Sequence, residues 1–154
     1  MFNMPLEAAM WGVFVAQWIK VPIFYFKTGN WDWKIGLSTG SMPSSHTAFV
    51  IALTTSIGFK EGVGTSIFAL SAVFSLITLH DAVKVRGESG KQAKVLNDMK
   101  RDLQSVYQIL NVNKQENREA KLKELIGHTT NEVLGGIIVG LLVAIFYFYL
   151  NNVL

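Results

Sequence analysis

Four long stretches of this chain carry no charged residue, and they leave few folds open to it. Residues 8–19, 47–59, 63–80 and 133–154 contain no Asp, Glu, Lys or Arg, and the first run continues past Lys20 through Pro22 to Phe26. A helix that crosses a bilayer needs about 20 mostly apolar residues, within a range of about 17 to 25. Three of the stretches reach that range; 47–59 does so only with Ser45, His46 and residues 60–62 added. Charged residues make up 16% of the chain, against about 25% in a soluble domain. The expected fold is an all-α integral membrane protein. It has about four transmembrane helices in two hairpins, near 6–26, 45–62, 64–82 and 131–150, plus a cytoplasmic-side amphipathic helix. No low-complexity tract or shift of composition divides the sequence, so residues 1–154 are read as a single membrane-embedded domain.

The opening MFNMPLEAAM places no basic residue before the first span, unlike a cleaved signal peptide. The absence of cysteine excludes disulfides and thiolate chemistry. A net charge of +3 on its own suggests nucleic acid, but its distribution points elsewhere. Of the 14 Lys and Arg residues, Lys60 alone lies between spans two and three. All others sit at the end of span one, before span two, or between spans three and four. Such a bias marks the cytoplasmic side of a membrane. The expected topology is multi-pass, in a bacterial cytoplasmic membrane, with both termini outside and both charged loops inside. No nucleic-acid partner is expected.

Between spans three and four, Val95, Leu96, Met99, Leu103, Val106, Tyr107 and Leu110 recur at helical spacing, with Lys94, Lys100, Arg101, Asp102 and Gln104 on the other face. This predicts an amphipathic helix along the inner membrane surface, ending within 111–117. Gly87 and Gly90, ahead of it, suit tight turns.

Each returning helix opens on a histidine: His46 in PSSHTAF and His128 in GHTTNEV. The topology puts both at one membrane face, on helix amino termini whose unpaired N–H groups and partial positive charge suit an anion. His128 and Glu132 are four apart and share a helix face, so the carboxylate could orient the imidazole as in a catalytic triad. Thr129-Thr130-Asn131-Glu132 reads equally well as a capping box. The stripe continues through Gly136 and Gly140, whose spacing permits close helix contact, either within the fold or in a homodimer. Ser44 or Ser45 caps the helix that carries His46, and Pro43 stiffens its entry. Asp81 could pair with Arg86, bind a divalent ion or orient a histidine, and Arg86 and Lys91 could grip a phosphate. Lys84 and Lys94 fit an ordinary basic flank. Lys20 either snorkels to the surface or, three residues from Gln17, points with it to the site.

PSSH resembles the Pro-Ser-Gly-His element of the type 2 phosphatidic acid phosphatase superfamily, which includes the vanadium haloperoxidases. His128-x-x-x-Glu132 is similar to its His-x-x-x-Asp element. The ordered blocks AQWIK (16–20), GSMPSSHTA (40–48), DAVKVRGESGKQAKVLN (81–97) and ELIGHTTNEVLGG (124–136) look like the superfamily's divergent branch of small bacterial and plant membrane proteins. The resemblance implies a lipid phosphatase working through a phosphohistidine, with no metal and no cofactor. It makes His128 the nucleophile, Glu132 its orienting carboxylate and His46 the general acid. Ser44 and Ser45 would bind phosphate oxygens, with Lys20, Asp81, Arg86 and Lys91 as further substrate-binding residues. The implied substrate is a membrane-embedded phosphate or diphosphate, of the isoprenoid diphosphate or phosphatidic acid class. Two departures stand out. The parent Lys-x6-Arg-Pro element is absent, Lys20 being its nearest remnant, and Lys121-Leu122 stands where the parent has a Ser-Arg pair. Two alternatives stay open: a non-catalytic lipid-phosphate binder or transporter on the same frame, and a metal-dependent variant with Asp81 and Glu132 as ligands.

Overall fold

The structure, a computed structural model, describes residues 3–37, 41–109, 122 and 129–153. Five α-helices account for most of them: α1 (Met4–Thr28), α2 (Ser45–Glu61), α3 (Ser66–His80), α4 (Arg86–Ile109) and α5 (Thr130–Val153). A 3-10 turn, Trp33–Leu37, follows α1, and a π segment, Asp81–Val85, joins α3 to α4. No strand occurs among the described residues.

Local sequence sets the helix ends. The Asn3 side chain accepts the Leu6 N–H at 3.3 Å, Pro5 occupies the first turn, and Gly29 closes α1 at φ 71° with its N–H on the Tyr25 carbonyl. A left-handed residue of this kind is the usual stop signal, and glycine adopts it without a Cβ clash. Ser44 and Thr65 cap α2 and α3, each accepting an N–H three residues on.

The protein is an all-α integral membrane protein. Three helices are long and apolar enough to cross a membrane: α1, the continuous α3–α4 helix, and α5. The fourth expected span, α2, has 17 residues, at the lower end of what a bilayer requires. It is the centre of the bundle, packed against α1, α3 and α5.

Polarity and size are distributed as lipid demands. Large side chains such as Met10, Phe14, Leu70, Phe74, Leu142 and Phe146 face outward, whereas Ala8, Ala16, Ala48, Ala52 and Ala144 are buried. Lipid tails are as apolar as leucine, so helices associate through close packing of small residues. Gly136 and Gly140 do this against α2 of the same chain. A Cβ at Gly136 would lie 2.5 Å from the Ser44 carbonyl oxygen, and one at Gly140 would lie 2.7 Å from that of Ala48. On the other side of α2, a Cβ at Gly12 would lie 3.0 Å from the Ala48 oxygen. Pairings along the helices fix their directions. Gly136 meets Ser44 and Thr47, Gly140 meets Ala48 and Ile51, and Phe148 stacks on Phe59, so α5 runs parallel to α2. Tyr147 donates to Glu7 at one end while Lys20 faces Glu132 at the other, so α1 is antiparallel to α5. Ser75 donates to the Val50 carbonyl and Thr54 to that of Ser71, which makes α3 antiparallel to α2.

The region after α3 departs from expectation. Gly87 and Gly90 make no tight turn; both are helical, and α3 passes through the π segment into α4. A glycine inside a helix costs only about 1 kcal/mol, less than abandoning the hydrogen-bond ladder. The strong helix formers Arg86, Glu88, Lys91 and Gln92 flank both positions. The amphipathic pattern is realised in α4, where Val95, Leu96, Met99, Leu103 and Val106 stand exposed.

The glycine contacts generate a paired prediction. Gly136→Val forces the α2–α5 contact apart, and overpacking of this kind costs about 1–3 kcal/mol. It is expected to lower the detergent melting temperature by several degrees. Gly87→Ala, where a Cβ meets nothing within 4 Å, is expected to leave it unchanged or raise it. Equal losses from both would show that the close approach does not hold the bundle.

Candidate functional site

The directions of the helices bring four ends to one face: the carboxyl ends of α1 and α3 and the amino ends of α2 and α5. Lys20, on the last third of α1, is 1% exposed. It completes a stripe, Ala8, Gly12, Ala16 and Lys20, whose members lie four residues apart and are all buried. A buried ammonium is tolerated only where nearby groups compensate it, and Glu132 on α5 is the carboxylate whose charge acts on it.

Ser44 is fully buried and joins two helices. Its Oγ accepts from the Thr47 N–H at 3.4 Å and the Thr47 hydroxyl at 3.1 Å. Its own N–H donates to the Glu132 carbonyl at 2.9 Å. The Ser44 N–H is therefore committed to the fold, and its hydroxyl is the helix cap. Ser45 is buried beside it, and His46 follows on the first turn of α2 with an exposed side chain. The first N–H groups of α2 have no carbonyl partner within their helix, as at any helix start.

Glu132 forms the capping box that its spacing allowed. Its Oε2 accepts the Thr129 N–H at 3.3 Å, and Thr129 Oγ1 accepts the Glu132 N–H at 3.4 Å. His128 lies outside the described residues, so its geometry with Glu132 and His46 is not part of this site. Lys20, Ser44, Ser45, His46 and Glu132 are brought to one face. The basic residues beyond α3 are arranged differently. Arg86 Nε donates to Asp81 at 2.8 Å, with side chains half and two-fifths exposed. Lys91 pairs with Glu88 at 2.7 Å in solvent. Both cations thus bond carboxylates on their own stretch of helix, at or beyond the π segment that packs against α5.

Two features were not singled out by sequence reasoning. Thr47 is buried and tied to Ser44; a hydroxyl one helical turn inside the PSSH element was its signal. Asn97 bonds the main chain of Leu122 at two points, and no periodicity marks it. The Gln17 Oε1, three residues from Lys20, is buried with no hydrogen-bond partner among the described residues. Among those residues no three His, Asp or Glu side chains converge as metal ligands would.

An aromatic chain borders this face. Edge contacts at 5.2–6.2 Å link Trp18 to Trp33, Trp33 to Trp31 and Trp31 to Tyr25. The 3-10 turn is thereby folded back along α1, with Gly36 against Val21 and the Gln17 carbonyl.

The chain belongs to the divergent PAP2 family, whose model matches residues 1–143. It is similar to the uncharacterized membrane protein YuiD of Bacillus subtilis (strain 168), with 39% identity over 151 residues, covering 96% of this chain and 95% of that protein. This agrees with the apolar helices in placing the chain as a multi-pass membrane protein. No solved structure matches it.

The two serines should separate by stability. Ser44→Ala removes a cap and leaves Thr47 without its acceptor, which costs about 1–2 kcal/mol. Ser45→Ala is expected to cost less than half of that in thermal unfolding. The reverse order would show that Ser45 is the cap.

Proposed function

We propose that the protein is a membrane phosphatase that hydrolyses a lipid phosphate or diphosphate through a phosphohistidine intermediate. The observation that carries this reading is the meeting of buried Lys20 with the amino ends of α2 and α5. Helix amino ends bring partial positive charge and N–H donors, and a lysine ammonium adds a point charge suited to phosphate. Membership of the divergent PAP2 family supports phosphoryl-transfer chemistry as the reading of these positions.

In the proposed reaction a His128 nitrogen attacks phosphorus as the bond to the lipid oxygen breaks. The His46 imidazolium gives its proton to that leaving oxygen. Neutral His46 then takes a proton from water, whose oxygen attacks the phosphohistidine and releases inorganic phosphate and His128. Glu132 bonds the Thr129 N–H through Oε2; its Oε1 would hold the His128 imidazole. Lys20 and the first turn of α2 would hold the phosphoryl oxygens. The Lys and Arg bias between the helices supports a cytoplasmic-facing site with both termini outside, and the Bacillus relative agrees with a bacterial cytoplasmic membrane.

One observation favours a second reading, a lipid-phosphate binder or transporter without hydrolysis. Arg86 and Lys91, the cations that could replace the parent arginines, are paired with Asp81 and Glu88.

Phosphate release by detergent-purified protein from a panel of lipid mono- and diphosphates decides between them. Release is expected to persist in chelator and to vanish in His128→Ala. His46→Ala should slow it by about 10²–10⁴-fold, and Lys20→Met should raise KM. Release that is unchanged in His128→Ala overturns the nucleophile. Silence across the panel with measurable lipid-phosphate binding establishes the second reading.

A further inference from the structure

The apolar stripe of α4 lies beyond the bundle and has no part in the reaction scheme. Leu96, Met99, Leu103 and Val106 are each 47–56% exposed. Their steps of three and four residues are those of a heptad, with Leu96 and Leu103 at a and Met99 and Val106 at d. Gly90 and Ala93, both buried, mark the side that α4 turns to its own chain. At 3.6 residues per turn the stripe lies about a third of a turn round from that side. The helix that carries it, Ser66–Tyr107, is continuous over 42 residues. It measures about 63 Å at about 1.5 Å per residue, against a hydrocarbon core about 30 Å thick. Charged residues recur from Asp81 to Asp102, so the stripe belongs to the part outside the hydrocarbon. An apolar surface there marks a contact.

Charge and side-chain type select the occupant. A helix that lies on a membrane surface holds it with Trp, Phe or Leu and a basic polar face. The α4 stripe contains no Trp or Phe. Three of the five cations of α4 bond carboxylates on the same continuous helix: Arg86 with Asp81, Lys91 with Glu88 and Arg101 with Asp98. This leaves the polar face little charge for anionic lipid. A heptad seam is instead complementary to a second copy of itself. Two copies inserted in one direction send their α4 helices out of the membrane parallel, as a two-fold axis along the membrane normal requires. In a parallel pair the flanking g and e positions set Val95 against Lys100 and Asp102 against Tyr107, so no like charges meet. We infer that α4 is a dimerisation helix, whose Leu96–Val106 seam packs against the same seam of a second copy as a parallel coiled coil. The polar Ser89 and Gln92 continue the a and d positions toward the membrane, where such groups fix register at a cost in stability. The seam is short, and confinement of both chains to one membrane raises their effective concentration. The dimer does not rest on the phosphatase reading.

The chain has no cysteine, so single cysteines in the full chain report contacts without background. A disulfide closes only where two Cα atoms come within about 7 Å. On mild oxidation of isolated membranes, Leu96→Cys, Met99→Cys and Leu103→Cys are expected to give a crosslinked dimer. Lys94→Cys and Ser105→Cys, on other faces of α4, are expected to remain uncrosslinked. In detergent the wild type is expected to elute with the mass of two chains, and Leu103→Asp, with unchanged helix content, with the mass of one. Crosslinks at the seam in membranes support the dimer even where detergent separates the copies. A wild type with the mass of two chains but no seam crosslinks overturns the inference, because the copies then meet elsewhere. Equal crosslinking at Lys94→Cys and Leu103→Cys overturns it too, since contact is then not confined to the seam. A spin label on Leu103→Cys that lipid-dissolved oxygen reaches and a water-soluble relaxant does not would place the stripe in the membrane surface. That outcome overturns the dimer in favour of lipid, and a monomer without crosslinks overturns it outright.

Discussion

The contact of α5 on α2 through backbone, with glycine on one side and carbonyl oxygen on the other, is the constraint from which the rest of the structure follows. In a bilayer no hydrophobic force drives helix against helix, so packing decides the register. Gly136 and Gly140 approach the Ser44 and Ala48 carbonyls so closely that a single methyl group at either would overlap them. That register puts the Ser44 N–H on the Glu132 carbonyl, which locks the start of α2 to the first turn of α5. The Ala48 carbonyl also receives Gly12 of α1. One turn of α2 is therefore gripped from two sides by residues without side chains, and the position of Lys20, two turns further along the α1 stripe, is a consequence.

Parallel packing has an electrostatic cost at the amino ends of α2 and α5. Each helix start carries about half a positive charge, and α2 and α5 hold theirs side by side with Lys20 buried close by. Positive ends at this spacing repel one another unless a negative group lies between them. Glu132, in the first turn of α5, supplies one such charge and at the same time caps its own helix. An arrangement of two helix starts and a lysine against one carboxylate leaves a positive surplus, which a phosphate would neutralise. Arg86 and Lys91 add little to that surplus. Each already has a carboxylate of its own, largely in solvent.

Much of the fold was legible in the sequence because the strongest signals are long and uniform. The uncharged runs located α1, α2, α3 and α5 to within a few residues, and Thr129 with Glu132 announced the box that forms. The behaviour after α3 was not legible. Glycine is a turn signal in isolation, but Gly87 and Gly90 lie among helix formers and continue a ladder already begun in α3. For the site, Ser44, Ser45, His46 and Glu132 were readable from motif spacing, as was the stripe through Gly136 and Gly140. The burial of Lys20 was open in the sequence, since snorkelling predicts the same residue at the same place. Only the register of the small-residue stripe on α1 against α2 and α5 decides between them. Asn97 had no signal, because a side chain that reads main chain leaves no complementary residue at its partner position.

The depth of the site in the bilayer follows from the aromatic residues around it. Tryptophan and tyrosine collect where hydrocarbon meets headgroup, and the Trp18–Trp33–Trp31–Tyr25 chain marks that level beside the carboxyl half of α1. Lys20 is two residues from Trp18, so it lies near the level that the aromatic chain marks, and on the proposed reading that is the level of lipid phosphates. A soluble phosphate ester would have to descend past the 3-10 turn to reach it. A lipid phosphate would arrive by lateral diffusion, its chains remaining against the outward leucine and phenylalanine side chains of the helices and its headgroup entering level with the start of α2. Helix length agrees with this. With 17 residues, α2 spans about 25 Å at 1.5 Å per residue, short of a hydrocarbon core about 30 Å thick. A helix of that length cannot reach both headgroup planes, which is compatible with an amino end at the level that the aromatic chain marks. On the proposed reading, a helix long enough to place its capping serine in open water would carry the phosphate-binding end out of reach of a membrane-held substrate.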